Sequence, residues 1–235
     1  MEWLLVTLHV YRKAFGRAGA LAVKNWPVLG SVFVYGAIMS ITAQIAGLAG
    51  MAGGFLLSLV WAACVGSFLY LVEMIVRTNK ATLQDFRNSF GAYLWDVVGI
   101  TFVLWLFSSL GAPALLQVPQ GDLLLLFAEI ALFVLLNAVP ELIYLGHYST
   151  VALLSESYSF VAANWIEWFP ANIVVAAIIY GTTLLPIDLG NAYFNLKTAV
   201  VALVIYFAMV MRGLLFLELH NTTHRGRAFK YRMES

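Results

Sequence analysis

Residues 55–75 read FLLSLVWAACVGSFLYLVEMI, an apolar run whose one charged residue, Glu73, lies near its end. Wound as helix at about 1.5 Å per residue, the run is about 30 Å long, the thickness of a bilayer's hydrocarbon core. Working outward, five more such segments follow: Pro27–Gly47, Val97–Leu116, Leu123–Tyr144, Ala171–Pro186 and Thr198–Leu219. The fifth is short and ends at Pro186, which predicts a tilted or broken helix. With Phe55–Ile75 they make six spans.

Composition agrees. The chain has 235 residues, 62% hydrophobic and 11% charged, and its mean hydropathy is +0.88. A soluble domain is roughly 45–50% apolar and about 25% charged. There is too little charge to cover a soluble surface, which excludes an ordinary soluble enzyme and a disordered chain. A net charge of +1 gives no field to attract a polyanion, which excludes nucleic acid as a partner. The single cysteine, Cys64, cannot close an internal disulfide. At the N-terminus the charges follow the first apolar stretch, the reverse of a cleavable signal, so Met1 onward is expected in the mature chain.

Twelve of the 13 basic residues fall at one set of span ends: Arg12, Lys13, Arg17, Lys24, Arg77, Lys80, Arg87, Arg212, Arg225, Arg227, Lys230 and Arg232. Only Lys197 falls at the other. Basic residues favour the cytoplasmic side. Both termini are therefore expected in the cytoplasm, and the tight connections LAGMAGG, PALLQVPQGD and PIDLGNAYFNLK outside.

The segments before the odd-numbered spans resemble one another: AFGRAGALAVKNWPV, LQDFRNSFGAYLWDV and LSESYSFVAANWIEW. Their tryptophans, Trp26, Trp95 and Trp165, are 69 and 70 residues apart. Leu83, Phe86, Phe90 and Leu94, and likewise Val151, Leu154, Tyr158, Val161 and Trp165, form apolar stripes at helical spacing. Such helices lie in the headgroup plane, with tryptophan as the interfacial anchor. The even-numbered spans each end in a glutamate: Glu73, Glu141 and Glu218.

The fold class expected is thus an all-α integral membrane protein. It has six transmembrane helices, three cytoplasmic amphipathic interfacial helices and a threefold two-span repeat. The whole of 1–235 reads as one membrane domain, with repeats 1–78, 79–147 and 148–221 and a basic tail 222–235. A plainer reading competes with the repeat: any six-span protein has interfacial tryptophans and polar span ends. The mitochondrial carrier family also repeats a two-span unit three times. Its interfacial helices lie inside each hairpin, however, and its proline–acid–basic motif is missing here.

Ionisable groups inside spans are functional candidates. Glu129 lies about 10 Å along the helix from Asp122. It is either a proton- or cation-binding carboxylate facing a cavity, or a neutral acid hydrogen-bonded to a neighbouring helix or an outward water pocket. Arg212 either reaches the cytoplasmic interface or pairs with Glu73 or Glu141. Glu73 and Arg77, spaced i,i+4, can bridge each other. If the repeat holds, Glu73, Glu141 and Glu218 form a cytoplasmic ring that favours cations; otherwise they pair at the interface. Gln44, Ser67, Asn137 and Thr182 are candidates for hydrogen bonds between spans, and Pro140 for a kink. Ala46-x-x-x-Gly50 and Ala62-x-x-x-Gly66 permit close helix approach.

His9, His147, His220 and His224 lie at the basic ends. His220 and His224 share a face but lack a third ligand at suitable spacing, so no metal site is read. No catalytic constellation, phosphate-binding glycine loop or haem-ligating histidine pair occurs in the spans. The expectation is a protein with no cofactor and no catalysis. The tail HRGRAFKYR reads as a headgroup-contacting segment.

The stretch ALLSESYSFVAANWIEWFPANIV resembles a pattern in uncharacterised bacterial six-span proteins related to the membrane domain that accompanies some glycerophosphoryl diester phosphodiesterases. Ser157, Asn164 and Trp165 carry it, Asn25-Trp26 echoes it, and the second unit departs with Leu94 in place of asparagine. The resemblance covers about a third of the chain and implies a bacterial inner-membrane protein without a catalytic domain of its own. The length, N-terminal interfacial helix and six spans also resemble permease subunits of ABC-type exporters, which implies that Arg77–Phe90 docks an ATPase partner.

Two functions are left standing. One is a non-catalytic, permease-like membrane subunit of a transport or envelope assembly. It would contact membrane lipids and meet a protein partner or a second copy through its amphipathic helices. The other is a self-contained channel or carrier for a small ion or solute.

Overall fold

A computed structural model describes residues 2–146, 148, 150–184 and 191–234, with side chains described for all of these except 2–4, 51, 182–184, 191–196, 224 and 234. Every element among the described residues is helical. Helix α1 (Glu2–Lys24) leads through a 3-10 turn (Trp26–Val28) into α2 (Leu29–Leu48), followed by α3 (Met51–Thr78) and the short α4 (Leu83–Ser89). Helix α5 (Leu94–Leu106) continues through a π-helical turn into α6 (Ala112–Leu115). Then come α7 (Gly121–Leu135), α8 (Val139–Glu141) with a second π turn (Leu142–Gly146), α9 (Thr150–Leu184), α10 (Asn191–Asn221) and α11 (His224–Glu234). Among the described residues, six stretches are long and apolar enough to cross a membrane: Trp26–Leu48, Ala52–Thr78, Leu94–Leu115, Gly121–Gly146, Thr150–Gly181 and Lys197–Asn221.

The fifth differs most from expectation. In place of a short span starting at Ala171, one helix runs from Thr150 to Leu184 and takes in the segment expected to be a separate interfacial helix. Only Asn164 leaves helical geometry, at φ −125° and ψ 16°. One residue in the sparsely populated bridge region bends a helix without ending it.

The second amphipathic helix is shorter than its stripe. A capping box between Thr82 and Asp85 starts α4. Phe90 is extended and Gly91 has φ +97°, so α4 stops at Ser89. Leu94 then belongs to the span helix, and Leu83 is exposed. In α9 the stripe divides: Val151, Tyr158 and Trp165 are exposed, while Val161 is buried with Leu153, Ser157 and Phe160.

Pro140 acts where expected. Its ring conflicts with the carbonyl of residue 136 and it lacks an N–H. Helix α7 stops at Leu135, Leu136 and Ala138 leave helical geometry, and a new turn starts at Val139.

The chain divides into two compact units interleaved along the sequence. The first comprises Met1–Val34, Val72–Ala81 and Asn164–Ser235. Here α1 packs on α10, burying Ala14, Ala18, Leu21 and Ala22. The Tyr206 hydroxyl donates to the carbonyls of Asn25 (3.0 Å) and Ala22 (3.3 Å). The Asn25 side chain, itself buried, donates to Leu21 O and accepts from the Ala81 amide, both at 2.9 Å. This fixes the exit from α1.

The second unit comprises Tyr35–Leu71 and Thr82–Ala163. Ser67 joins elements as expected: its hydroxyl shares hydrogen bonds with Tyr35 (2.7 Å) and Ser89 (2.5 Å). Phe86 and Phe90 close round Tyr35, with ring centroids 6.1 Å from it in both cases. Gly66 lies against the backbone of Tyr93, where an added Cβ would come 3.1 Å from the carbonyl carbon.

Candidate functional site

Polar groups in the first unit gather around the bend of α9. The Tyr11 hydroxyl donates to Glu167 O (2.5 Å) and accepts from the Ala171 amide (3.2 Å). Those two groups are i and i+4, the pair a regular helix would join directly. They stand three residues before and one residue after Pro170, the proline inside this helix. Burial pushes the Tyr11 phenol above its ordinary value; the bond from Ala171 opposes this and the Glu167 charge adds to it.

The Glu167 carboxylate meets Arg227 of α11 at 3.1 Å, both side chains almost fully buried. Arg227 also donates to Thr222 O (2.7 Å), Leu219 O (3.5 Å) and Asn164 Oδ1 (3.4 Å). It thereby caps the C-terminal carbonyls of α10, where a cation is favoured, and clasps the bend of α9. The tail expected to contact headgroups forms helix α11, which packs on α1. Sequence reasoning missed both residues. The signal was Glu167 itself, an acid in the apolar stretch 160–184 that needs a cationic partner.

Arg212 lies where its guanidinium donates to Asn172 Oδ1 at 2.5 Å and covers the Trp168 ring at 4.9 Å from its centroid. Neither partner was among those expected. Glu73 is buried and pairs with Arg77 at 3.0 Å across one helical turn. Glu141 is fully buried, and Glu218 is half-exposed and paired with Lys230 at 3.0 Å. Trp26, Trp95 and Trp165 are all exposed. His220 stacks on Phe216, with centroids 5.2 Å apart; the side chains of His147, Thr182 and His224 lie outside the described residues. No group of three metal-ligating side chains occurs among the described residues.

Glu129 lines neither of the two cavities described below. Its side chain is exposed on α7, beside exposed Leu126, Phe127, Ile130 and Phe133. The surrounding spans are the least covered by their own chain: 6% of the apolar window in Leu94–Leu115 and 11% in Gly121–Gly146 are buried, against 44% in Lys197–Asn221.

Two cavities flank α1. An apolar groove of about 870 Å³ opens between α1, α9 and α10, lined by residues such as Phe15, Val174 and Phe207. Its lining suits hydrocarbon chains. On the opposite face of α1 lies a pocket of about 90 Å³ bordered by α10 and α11, with His9, Lys13, Arg17, Arg227 and Lys230 in its wall.

No family model, curated protein or solved structure matches the chain.

Proposed function

We propose that this chain is a non-catalytic, permease-like membrane subunit of a transport or envelope assembly. The observation that carries this reading is Glu129. A carboxylate on an uncovered apolar face of a span is costly unless another group meets it. Among the cavities around α1 neither includes it, so a carrier site formed by this chain alone gains no support from its position. The partner that fits is a different membrane protein, whose helix presents a basic or amide side chain at that depth. A second copy suits less well, because Arg212, a basic residue well inside the sixth span, is already engaged by Asn172 and Trp168.

The orientation proposed puts the basic ends and both termini in the cytoplasm of a bacterial cell. A threefold repeat is supported by the backbone as well as by the tryptophans. Asn25 (φ −107°, ψ 27°) and Asn164 (φ −125°, ψ 16°) take nearly the same conformation one residue before Trp26 and Trp165, and Tyr93 (φ −121°, ψ 19°) takes it two residues before Trp95. The exposed faces of Val151, Tyr158 and Trp165 support an interfacial seat for the first half of α9.

The test is purification of the tagged chain from native membranes in mild detergent. A stoichiometric partner that is kept by the wild type and lost by Glu129→Leu is the expected result. The chain arriving alone, and moving ions or solutes across liposomes once purified, overturns the assembly reading in favour of a self-contained channel or carrier.

A further inference from the structure

We infer that the groove between α1, α9 and α10 binds a phospholipid, with acyl chain in the groove and phosphate at Arg12. The lining runs from Pro170 to Ile178 on α9 and from Leu203 to Met211 on α10. Eight residues of helix rise about 12 Å, close to half of a hydrocarbon core about 30 Å thick. The groove therefore has the depth of one leaflet. A partner's spanning helix needs a face about 30 Å long, so a lipid chain fits this length better. Phe15 and Phe207 meet edge to face in the wall, with ring centroids 5.0 Å apart. The hydroxyls of Tyr11 and Tyr206, which also line it, are turned onto backbone groups of α9 and of the exit from α1. What an occupant meets is hydrocarbon surface, in a volume of about 870 Å³.

Charge placement supplies a second observation. Arg12 is exposed and stands one helical turn from both Leu8 and Phe15, which line the groove. Its neighbour Tyr11 accepts from the Ala171 amide, so this part of α1 lies at the Pro170 end of the groove. A cation on the rim at one end and apolar walls beyond it match the two ends of a phospholipid. Lipid in the ring around any span touches protein on one side only. A chain seated among three helices buries more of its surface, so it stays when bulk lipid is removed. This site stands on helices other than the one that carries Glu129 and does not rest on the assembly reading.

The experiment is native mass spectrometry of the full chain in uncharged detergent. The wild type, stripped of lipid, should rebind dioleoyl phosphatidylglycerol saturably, one per chain. A Cβ on Gly19 would meet nothing within 4 Å, so Gly19→Phe fills the groove without moving backbone. Val174, exposed on α9, offers Val174→Trp from another wall. Each should lower the affinity at least tenfold at an unchanged melting temperature, while Leu104→Trp, exposed on α5 outside the groove, should bind as the wild type. Arg12→Gln should weaken phosphatidylglycerol several-fold and leave dioleoylglycerol, which lacks the phosphate, unchanged. In the wild type, phosphatidylglycerol with a diazirine in its acyl chain should crosslink to residues such as Phe15, Val174 and Phe207, a readout that needs no variant. No saturable uptake by the wild type, crosslinks that fall outside the groove, or folded groove-filling variants that bind like the wild type overturn the proposal. So does Arg12→Gln weakening both lipids alike, or Val174→Trp releasing a co-purifying protein while lipid stays bound.

Discussion

Arg227 Nη2 sits 3.1 Å from Glu167 Oε1 with both side chains almost wholly withdrawn from solvent, joining the last helix to the bend of α9. Breaking a buried pair by removing one partner costs about 3–5 kcal/mol, because the other charge is left uncompensated. Arg227→Met and Glu167→Gln should each lower thermal stability in detergent by amounts of that order. The double variant should lose clearly less than the sum of the two. Additive losses in the double-mutant cycle would show that the two side chains are not coupled.

Tyr11 bridges the carbonyl of Glu167 and the amide of Ala171. Tyr11→Phe should cost about 0.5–1.5 kcal/mol, at the level of one hydrogen bond, because the two freed backbone groups can pair with each other. Its effect should also depend on pH. The phenol's folded value is raised above 10.0, so the folded state holds that proton more tightly than the unfolded state does. The contribution is complete below pH of about 10 and is lost as pH rises through the folded value. The stability gap between wild type and Tyr11→Phe should therefore narrow in that alkaline range. Parallel curves would contradict this assignment.

The six spans were legible because a bilayer imposes length and apolarity on each helix independently of its neighbours, as in Phe55–Ile75. The break before each tryptophan was only half legible. Asn-Trp flags it at Asn25 and Asn164, but at Tyr93 the same conformation occurs without asparagine. Partners of the polar groups were not legible. Arg227 looks like any tail arginine until α11 is seen packed against α1, and Arg212 offers no sequence clue that Asn172 and Trp168, forty residues away, share its place. Periodicity places a residue on a face; it does not say what covers that face.

Gly53 and Gly54 give a sharper contrast than their adjacency suggests. A Cβ on Gly53 would overlap the carbonyl oxygen of Ala46 across the turn between α2 and α3, whereas one on Gly54 would meet nothing within 4 Å. Gly53→Ala should cost about 1–3 kcal/mol through forced backbone movement. Gly54→Ala should be neutral or stabilise by up to about 1 kcal/mol, the helix-propensity difference. Thermal unfolding of the two variants side by side checks this, and equal stabilities would mean that the turn is looser than described.

Orientation can be read with cysteines in a chain whose own Cys64, which is buried, is replaced by alanine. Ala49→Cys and Gln120→Cys lie in connections between spans on the side opposite the basic ends; Lys80→Cys and Ser155→Cys lie on the basic side. In intact cells a membrane-impermeant maleimide should label the first pair and spare the second until the membrane is opened. The third outer position, near Asn191, has a side chain outside the described residues and adds an independent check. Labelling of Lys80→Cys from outside would reverse the proposed topology.

Glu129 separates the stability of the chain from that of its assembly. The carboxylate lies on a face that the rest of the chain leaves open, so replacing it removes no buried partner within the chain. Glu129→Leu and Glu129→Gln should both unfold at the wild-type temperature when the isolated chain is heated in detergent. The two should then part company in native membranes. Glutamine keeps a hydrogen-bonding head of the same shape and should retain a fraction of the complex, while leucine should release the partner. If Glu129→Leu instead lowers the melting temperature of the isolated chain by several degrees, the side chain has a partner within its own fold. The docking face must then be sought elsewhere on the chain.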